Sequence, residues 1–214
     1  MLAGANIQMH ASTLGLVAIR LGGLNASIVL PACVTIALTF AGLVYKHFEE
    51  HSLQRRRDRL DRVNLQLRQL YGPLHALSRA GADAWRIFRQ GHRPPQERRY
   101  FDPADPPTHA EQVAYRVWME EVFMPINLRL EEIIVGNADL LVEGQMPECL
   151  LRVCAHVNAY KPVLRQWREN DYSHHEAPIA FPEEELTSYL DRTFVELQRQ
   201  QRQLLGSLRI RAKQ

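Results

Sequence analysis

This 214-residue chain contains histidine, cysteine and acidic side chains that could bind a metal or act in catalysis. Their spacing does not match the known motifs for either role. The run His174-His175-Glu176 is one candidate for a metal site, because imidazole and carboxylate groups bind zinc. Zinc-binding helices place their histidines four residues apart, as in the H-E-x-x-H motif, which is absent here. Adjacent residues on a loop cannot easily face one ion, so the sequence predicts an exposed loop at this position.

Cys149, Cys154 and His156 form a second candidate. On a helix of about 3.6 residues per turn, Cys149 and Cys154 lie about 140° apart around the axis, and Cys154 and His156 also diverge. His156 could act with a nucleophile from elsewhere, but no pattern locates that nucleophile. The cysteines are therefore predicted to be core residues. The chain has no phosphate-binding loop, nucleophile elbow or dinucleotide fingerprint, so we assign no catalytic, cofactor-binding or metal-binding residue.

An aromatic-x-proline-aliphatic pattern recurs at residues 71–74, 123–126 and 160–163. Each proline falls within a helical pattern, where it removes one backbone hydrogen bond at a cost of about 3 kcal/mol or more. Bent helices that wrap a core would explain the recurrence, and so would a cavity or partner groove where the bends converge. The polar side chains that could line such a pocket are His75, Asn127, His156, Asn158 and Tyr160.

The elements that must position these residues begin with an uncharged run at residues 21–45. About 20 apolar helical residues cross the hydrocarbon core of a bilayer, and in lipid the backbone must satisfy its own polar groups. The run is therefore predicted to be one transmembrane helix, after an N-terminal lead-in at residues 1–20. A buried core helix is an alternative, and so is a cleaved signal, although the basic residues that begin a signal are missing.

Basic residues are distributed unequally about this run. Arg20 precedes it, whereas Lys46 and five arginines follow it. The positive-inside bias predicts a single-pass inner-membrane protein with its N-terminus outside and its C-terminal domain in the cytoplasm. The arginines either form only this topology signal or also contact anionic lipid headgroups, at about 1 kcal/mol per cation. They are Arg55, Arg56, Arg57, Arg59 and Arg62.

The remaining composition agrees with this assignment. The three cysteines form an odd number without framework spacing, which suits a reducing compartment. The net charge of +2 leaves no broad basic face, so the sequence gives no support for nucleic-acid binding.

After the run, a leucine-rich seam at heptad spacing predicts a membrane-proximal amphipathic helix over residues 46–90. Gly72-Pro73 is expected to kink or break this helix, and Gly91 to end it in a left-handed conformation. The seam could also join two copies of the chain as a homodimer. It consists of Leu53, Leu60, Val63, Leu67, Leu70, Leu74 and Leu77.

A proline-rich connector is predicted over residues 91–107, followed by a helical bundle over residues 108–214 that packs with 46–90. Thr108 and Glu111 have the spacing of a capping box that begins a helix. Pro182, followed by three glutamates, is typical of the start of the last helix. No segment alternates at a period of two residues. The predicted fold is all-α, with one transmembrane helix and a cytoplasmic bundle of about four to five helices.

Three segments together resemble a widespread family of uncharacterised bacterial single-span membrane proteins with a Leu-Tyr-Gly-Pro-Leu motif. The resemblance covers most of the chain after Leu53 and implies a shared fold and membrane anchoring, but no activity. The segments are Val63-Asn64-x-Gln66-Leu67-Arg68-x-Leu70-Tyr71-Gly72-Pro73-Leu74, Val122-Phe123-Met124-Pro125-Ile126-Asn127 and Cys154-Ala155-His156-Val157-x-Ala159-Tyr160-Lys161.

Two classes of function follow from these patterns. The absence of catalytic motifs and the seam beside the predicted span favour a membrane-anchored, non-enzymatic module that binds a protein partner or itself. The alternative is an enzyme or small-ligand binder that uses a pocket at the proline-bent helices. Convergence of the polar candidates in an open cavity would favour the second class.

Overall fold

The computed structural model describes residues 26–94 and 99–211, with side chains omitted for 26–30, 32 and 209–211. The described residues form six α-helices and no strand, apart from an isolated bridge between Asp102 and Asp105. This confirms the all-α prediction. The helices are α1 (Ala26–Leu65), α2 (Gly72–His92), α3 (His109–Trp118), α4 (Met124–Gly136), α5 (Glu148–Arg168) and α6 (Glu183–Arg211).

The chain divides into two units, Met1–Gln54 and Arg55–Gln214. In the first unit every side chain described between residues 33 and 50 is exposed. Among the residues described, no helix combines the length and apolar character needed to cross a membrane. The predicted span over 21–45 is thus not confirmed. Its first five residues and the predicted lead-in over 1–20 lie outside the described residues.

The second unit is a helical bundle in which α2 packs against α4 and α6, and α5 packs against the same two helices. The seam predicted from leucine spacing contributes to this core, because Val63, Leu70 and Leu74 are buried within the unit. A second, aromatic cluster lies beside the aliphatic one. It consists of Phe88, Tyr100, Tyr115, Met119, Phe123, Met124, Val157, Tyr160, Val163 and Trp167.

Several local predictions for helix ends are confirmed. Thr108 and Glu111 form the complete capping box at the start of α3, with the Thr108 hydroxyl accepting from the Glu111 N–H. These hydrogen bonds lower the pKa of Glu111. Pro182 directly precedes α6, as predicted.

The prediction for Gly91 is wrong, because α2 continues to His92 and no described glycine has a positive φ. Arg93 ends the helix in an extended conformation, and its carbonyl accepts a hydrogen bond from Arg89 Nε at 2.8 Å. The Arg93 guanidinium pairs with Asp105 in the connector at 2.7 Å. Side-chain contacts thus end this helix without a left-handed glycine.

Gly72-Pro73 was expected to kink or break its helix, but the helical backbone continues through it. A π-helical segment, Gln66–Tyr71, directly precedes Gly72, and a second one, Met119–Phe123, precedes Met124-Pro125. In both, the residue before proline donates its N–H to the carbonyl five residues back, Leu67 or Met119. The wider turn accommodates proline, which lacks an N–H and clashes with the carbonyl four residues back. Pro162 lies inside α5 without such a segment.

The π-helical segments also decide which residues share a helix face. At about 100° per residue, Tyr115 and Asn127 would lie about 120° apart around an uninterrupted α-helix. One residue inserted by a π turn removes about 100° of this difference, leaving about 20°. Tyr115, Met119, Phe123 and Asn127, at steps of four, therefore face the same side and are all buried.

Gly72 tests the π-helical geometry directly. A Cβ at this position would overlap the Leu67 carbonyl oxygen, which belongs to the backbone and cannot rotate away. We expect Gly72→Ala to destabilise the full-length protein by about 1–3 kcal/mol, the usual cost of overpacking, despite alanine's higher helix propensity. The measurement is thermal unfolding followed by circular dichroism.

Gly206→Ala is the matched control, because Gly206 lies in α6 with no atom within 4 Å of its added Cβ. This change should stabilise by about 0.5–1 kcal/mol. Equal gains from both substitutions would show that the first π-helical segment does not constrain residue 72.

Candidate functional site

The second unit contains a cavity of about 310 Å³. This is the lower end of the range for small-molecule sites, which is about 300–1,000 Å³. Side chains from α2 to α6 and the second π-helical segment line it, together with Arg99 and the loop at residues 176–181. The apolar wall residues are Leu77, Trp85, Met119, Phe123, Ile126, Leu130 and Phe181.

Asn127 presents an unpartnered amide to this cavity. Its side chain is only 9% exposed and lines the cavity wall, yet it forms no hydrogen bond with any described residue. The other buried polar side chains in the described part, such as Gln66 at 2.9 Å from the Leu140 carbonyl, all have partners. Every fully buried side-chain nitrogen or oxygen atom in the described part has a partner, so the Asn127 amide atoms must keep some accessible surface. The Asn127 amide is therefore available for a bound molecule.

His156 lies on the α5 wall of the same cavity and is 6% exposed. Its Nδ1 is 2.6 Å from the carbonyl oxygen of Ile179. Because a carbonyl oxygen only accepts, Nδ1 must carry the proton and Nε2 must hold a lone pair. Burial lowers the pKa of His156, which keeps the imidazole neutral at pH 7. Nε2 has no hydrogen-bond partner among the described residues and can accept one from a ligand.

Tyr115 and Tyr160 form a hydrogen-bonded pair at the cavity wall, with their hydroxyl oxygens 3.0 Å apart. Tyr160 donates to the His175 carbonyl at 2.6 Å, so Tyr115 must be the donor within the pair. Burial raises the pKa of both phenols, and both stay neutral. The Tyr115 oxygen consequently offers lone pairs, and no proton, to the cavity.

Three donors on α5 hold the loop between α5 and α6 in place. Trp167 Nε1 donates to the His174 carbonyl at 2.7 Å, while Tyr160 and His156 donate to His175 and Ile179. The donors lie at steps of four and seven along α5, which places them on one helix face. The loop therefore runs antiparallel to α5 and closes one side of the cavity.

The exposed lining residues mark the mouth of the cavity and include the charged groups Arg99, Glu176 and Glu183. Arg99 forms an ion pair with Glu176 at 3.7 Å, and their side chains are 77% and 43% exposed. Partial burial raises the pKa of Glu176, an effect that Arg99 opposes, and also raises the pKa of Glu183. The lining residues at the mouth thus include two carboxyl groups and one guanidinium, which is paired with Glu176.

Three of the five polar pocket candidates converge in this cavity, namely Asn127, His156 and Tyr160. The other two do not. His75 bonds to Asp191 at 2.9 Å and stacks on Phe194, whereas Asn158 is exposed and donates to Glu131. Sequence reasoning missed five polar or charged lining residues: Ser78, Arg99, Tyr115, Glu176 and Glu183.

The other chemical candidates do not form a reactive centre. Cys149 and Cys154 are half-buried, and burial raises the pKa of both thiols, which disfavours the nucleophilic thiolate. Of the predicted exposed-loop histidines, His174 is exposed but His175 is half-buried and accepts from Arg116 at 2.9 Å. Within the described part of the chain, no three His, Cys, Asp or Glu side chains cluster to hold a metal ion.

Comparisons with protein-family profiles, with curated proteins and with solved structures gave no match. The resemblance to uncharacterised bacterial membrane proteins therefore stays a prediction. The proposed function therefore rests on the cavity and its lining residues.

If the Asn127 amide serves to bind a ligand, its replacement should stabilise the ligand-free protein. We expect Asn127→Leu to raise the free energy of unfolding by about 1 kcal/mol, because it replaces an amide without a protein partner by an apolar side chain on a mostly apolar wall and improves helix propensity. The measurement is urea unfolding of the ligand-free protein.

Asn158→Leu controls for helix propensity, since Asn158 also lies in a helix but donates to Glu131 and to the Cys154 carbonyl. This variant should gain less than Asn127→Leu. An equal or smaller gain for Asn127→Leu would mean that the Asn127 amide is already satisfied.

Proposed function

We propose that the unit Arg55–Gln214 is a binding module for a small organic molecule. The molecule would occupy the cavity and form hydrogen bonds with Asn127 and His156. The observation that carries this proposal is the unpartnered amide of Asn127, which is 9% exposed on the wall of an apolar cavity of about 310 Å³. Small-molecule sites combine mostly apolar walls with a few placed polar groups in this way.

The lining residues favour binding over covalent catalysis. Covalent catalysis needs a nucleophile within hydrogen-bond reach of a base. His156, the base-like residue here, uses Nδ1 to hold the Ile179 carbonyl, and no described Ser, Cys or Lys side chain is bonded to its Nε2. A neutral imidazole in this arrangement serves as a hydrogen-bond acceptor that orients a ligand.

The arrangement of the loop supports a site with one wall held closed by α5. His156, Tyr160 and Trp167 hold the loop through backbone carbonyls, so these contacts depend little on the loop's own side chains. A ligand in contact with both His156 and the loop would strengthen this closure. Such coupling would let the module report ligand binding to a partner protein.

Ligand binding can be tested with a small-molecule library and the full-length protein, with a rise in melting temperature as the readout. A ligand present at about 100 times its Kd stabilises a protein by about 2.7 kcal/mol. We expect compounds that stabilise the parent to lose their effect in Ala82→Phe, because Ala82 lines the cavity and a phenyl ring would fill it.

Ala80→Phe is the matched control, since Ala80 lies on the same helix but is exposed and does not line the cavity. Compounds should stabilise this variant as they stabilise the parent. Hits that stabilise Ala82→Phe equally well would place the binding site elsewhere, and a library without hits would argue against a ligand-binding role.

For localisation, we propose a single-pass anchor in a bacterial inner membrane, with the N-terminus outside and residues 46–214 in the cytoplasm. The uncharged run at 21–45 and the basic residues that follow it support this arrangement. So does the exposure of large apolar side chains in α1 that no described residue covers. They include Val34, Ile36, Leu38, Phe40, Leu43 and Phe48.

The predicted contact with anionic lipid gains support from a groove of about 630 Å³ in the second unit. Arg56, Arg59 and Arg62 line it together with Gln200 and Gln203. Guanidinium and amide groups in one groove are suited to the phosphate of a lipid headgroup.

The anchor can be tested by alkaline extraction of bacterial membranes that contain the full-length protein. Ile36→Lys combined with Leu38→Lys should release the protein, because each lysine near the centre of a span costs about 2.5–3.5 kcal/mol. Phe48→Lys is the control, since Phe48 is equally exposed but lies outside the predicted span. A parent protein that alkali extracts completely would refute the anchor, and a reporter after Gln214 that works only outside the cytoplasm would refute the orientation.

A protein-interaction module remains the second candidate, with an unknown partner or a second copy. Most of the heptad seam that suggested a homodimer packs within the chain itself. Val63, Leu70 and Leu74 are buried in the second unit, and Leu67 and Leu77 pack against the same core. The seam thus supports the bundle more directly than it supports a dimer.

A further inference from the structure

Among the buried polar side chains on the cavity wall, hydrogen-bond acceptors outnumber donors. His156 Nε2 is an acceptor because Nδ1 carries the proton. Tyr115 presents only lone pairs because its proton is used on Tyr160. Asn127 supplies one acceptor and one donor group. Ser78, the other hydroxyl on the wall, is 3.4 Å from the Thr187 hydroxyl.

The charged residues at the mouth also favour a ligand that donates hydrogen bonds. Glu176 and Glu183 contribute two carboxyl groups, and Arg99 is the one cation among the lining residues described. Arg99 is 77% exposed and is already paired with Glu176. Glu183 forms no ion pair with any described residue, and burial alone raises its pKa. An anionic ligand would therefore meet net negative charge, and a cationic ligand would relieve it.

The walls suit a cation as well. Trp85, Tyr115, Tyr160 and Phe181 line the cavity, and the negative faces of aromatic rings attract ammonium groups. The same rings provide apolar area for the carbon skeleton of a ligand.

From these observations, and resting on the proposed function, we infer that the cavity binds a small primary amine with an aromatic or compact apolar body. Its ammonium group donates to His156 Nε2 and to the Asn127 side-chain oxygen, and Glu183 compensates its positive charge. The apolar body lies against Met119, Phe123 and Leu130.

The test uses three probes of similar shape with the full-length protein at pH 7.5, namely phenethylamine, 2-phenylethanol and phenylacetate. Isothermal titration calorimetry gives each Kd. We expect phenethylamine to bind at least tenfold more tightly than 2-phenylethanol, and phenylacetate to bind most weakly. Binding of all three should be lost in Ala82→Phe and kept in Ala80→Phe.

Glu183→Gln removes the negative charge but leaves the shape of the site nearly unchanged. Glu184→Gln is its matched control. Both residues lie in the first turn of α6, so both substitutions remove the same favourable helix-end charge. Glu184 does not line the cavity. We expect Glu183→Gln to weaken phenethylamine severalfold without affecting 2-phenylethanol, and Glu184→Gln to affect neither.

The outcomes distinguish this inference from the proposed function. If 2-phenylethanol or phenylacetate binds as tightly as phenethylamine, and Ala82→Phe abolishes that binding, the cavity is a ligand site but the amine preference is wrong. If phenethylamine binds best but Glu183→Gln has no effect, the charge assignment is wrong. If no probe and no library compound binds in a manner sensitive to Ala82→Phe, the proposed function fails as well.

Discussion

Proline has no backbone N–H, and the architecture of the second unit depends on how its helices accommodate that loss. Before Pro73 and Pro125 the chain widens by one residue into a π-helical turn, and the preceding residue bonds to the carbonyl five positions back. The added residue rotates everything that follows by about 100°. This rotation lets side chains at steps of four, from Tyr115 to Asn127, face one cavity. The helices thereby stay continuous, yet they present a different face on each side of the proline.

Helix α5 provides the second constraint on the site. Its donors at His156, Tyr160 and Trp167 fix the loop before α6 through that loop's carbonyls. These contacts satisfy backbone groups that would otherwise need water. Two of them also set the chemistry of the cavity: with Nδ1 bonded to the loop, His156 presents the lone pair of Nε2, and with Tyr160 bonded to the loop, Tyr115 uses its proton on Tyr160. The acceptor-rich character of the site is thus a consequence of how the loop is held.

Asn127 shows how function and stability compete in this fold. The other buried polar side chains described in the bundle find partners, whereas its amide remains open to the cavity. Proteins depart from ideal packing in this way mainly at functional sites. The π-helical segment Met119–Phe123, one turn before Asn127, is also a departure from ideal geometry. Such segments occur often at functional sites. Two local departures from ideal helix geometry and packing therefore coincide at one place.

The sequence by itself determined the features that depend on neighbours along the chain. The all-α class, the capping box of Thr108 and Glu111, the start of α6 after Pro182 and the apolar seam at Val63, Leu70 and Leu74 all follow from local propensity and helical periodicity. Sequence reasoning also placed the three prolines within helices and named Asn127, His156 and Tyr160 as pocket residues. It could not separate them from His75 and Asn158, because all five have suitable chemistry.

Only the tertiary structure decided which of these side chains share the cavity. His75 is occupied by Asp191, more than one hundred residues later, and Asn158 by Glu131. The π-helical turns and the closure of the loop over α5 were also invisible to helical periodicity, since a uniform period cannot show where one residue is inserted. Glu176 and Glu183 are brought to the same mouth as Arg99 by that closure. Such contacts depend on residues distant in sequence, and no local pattern encodes their partners.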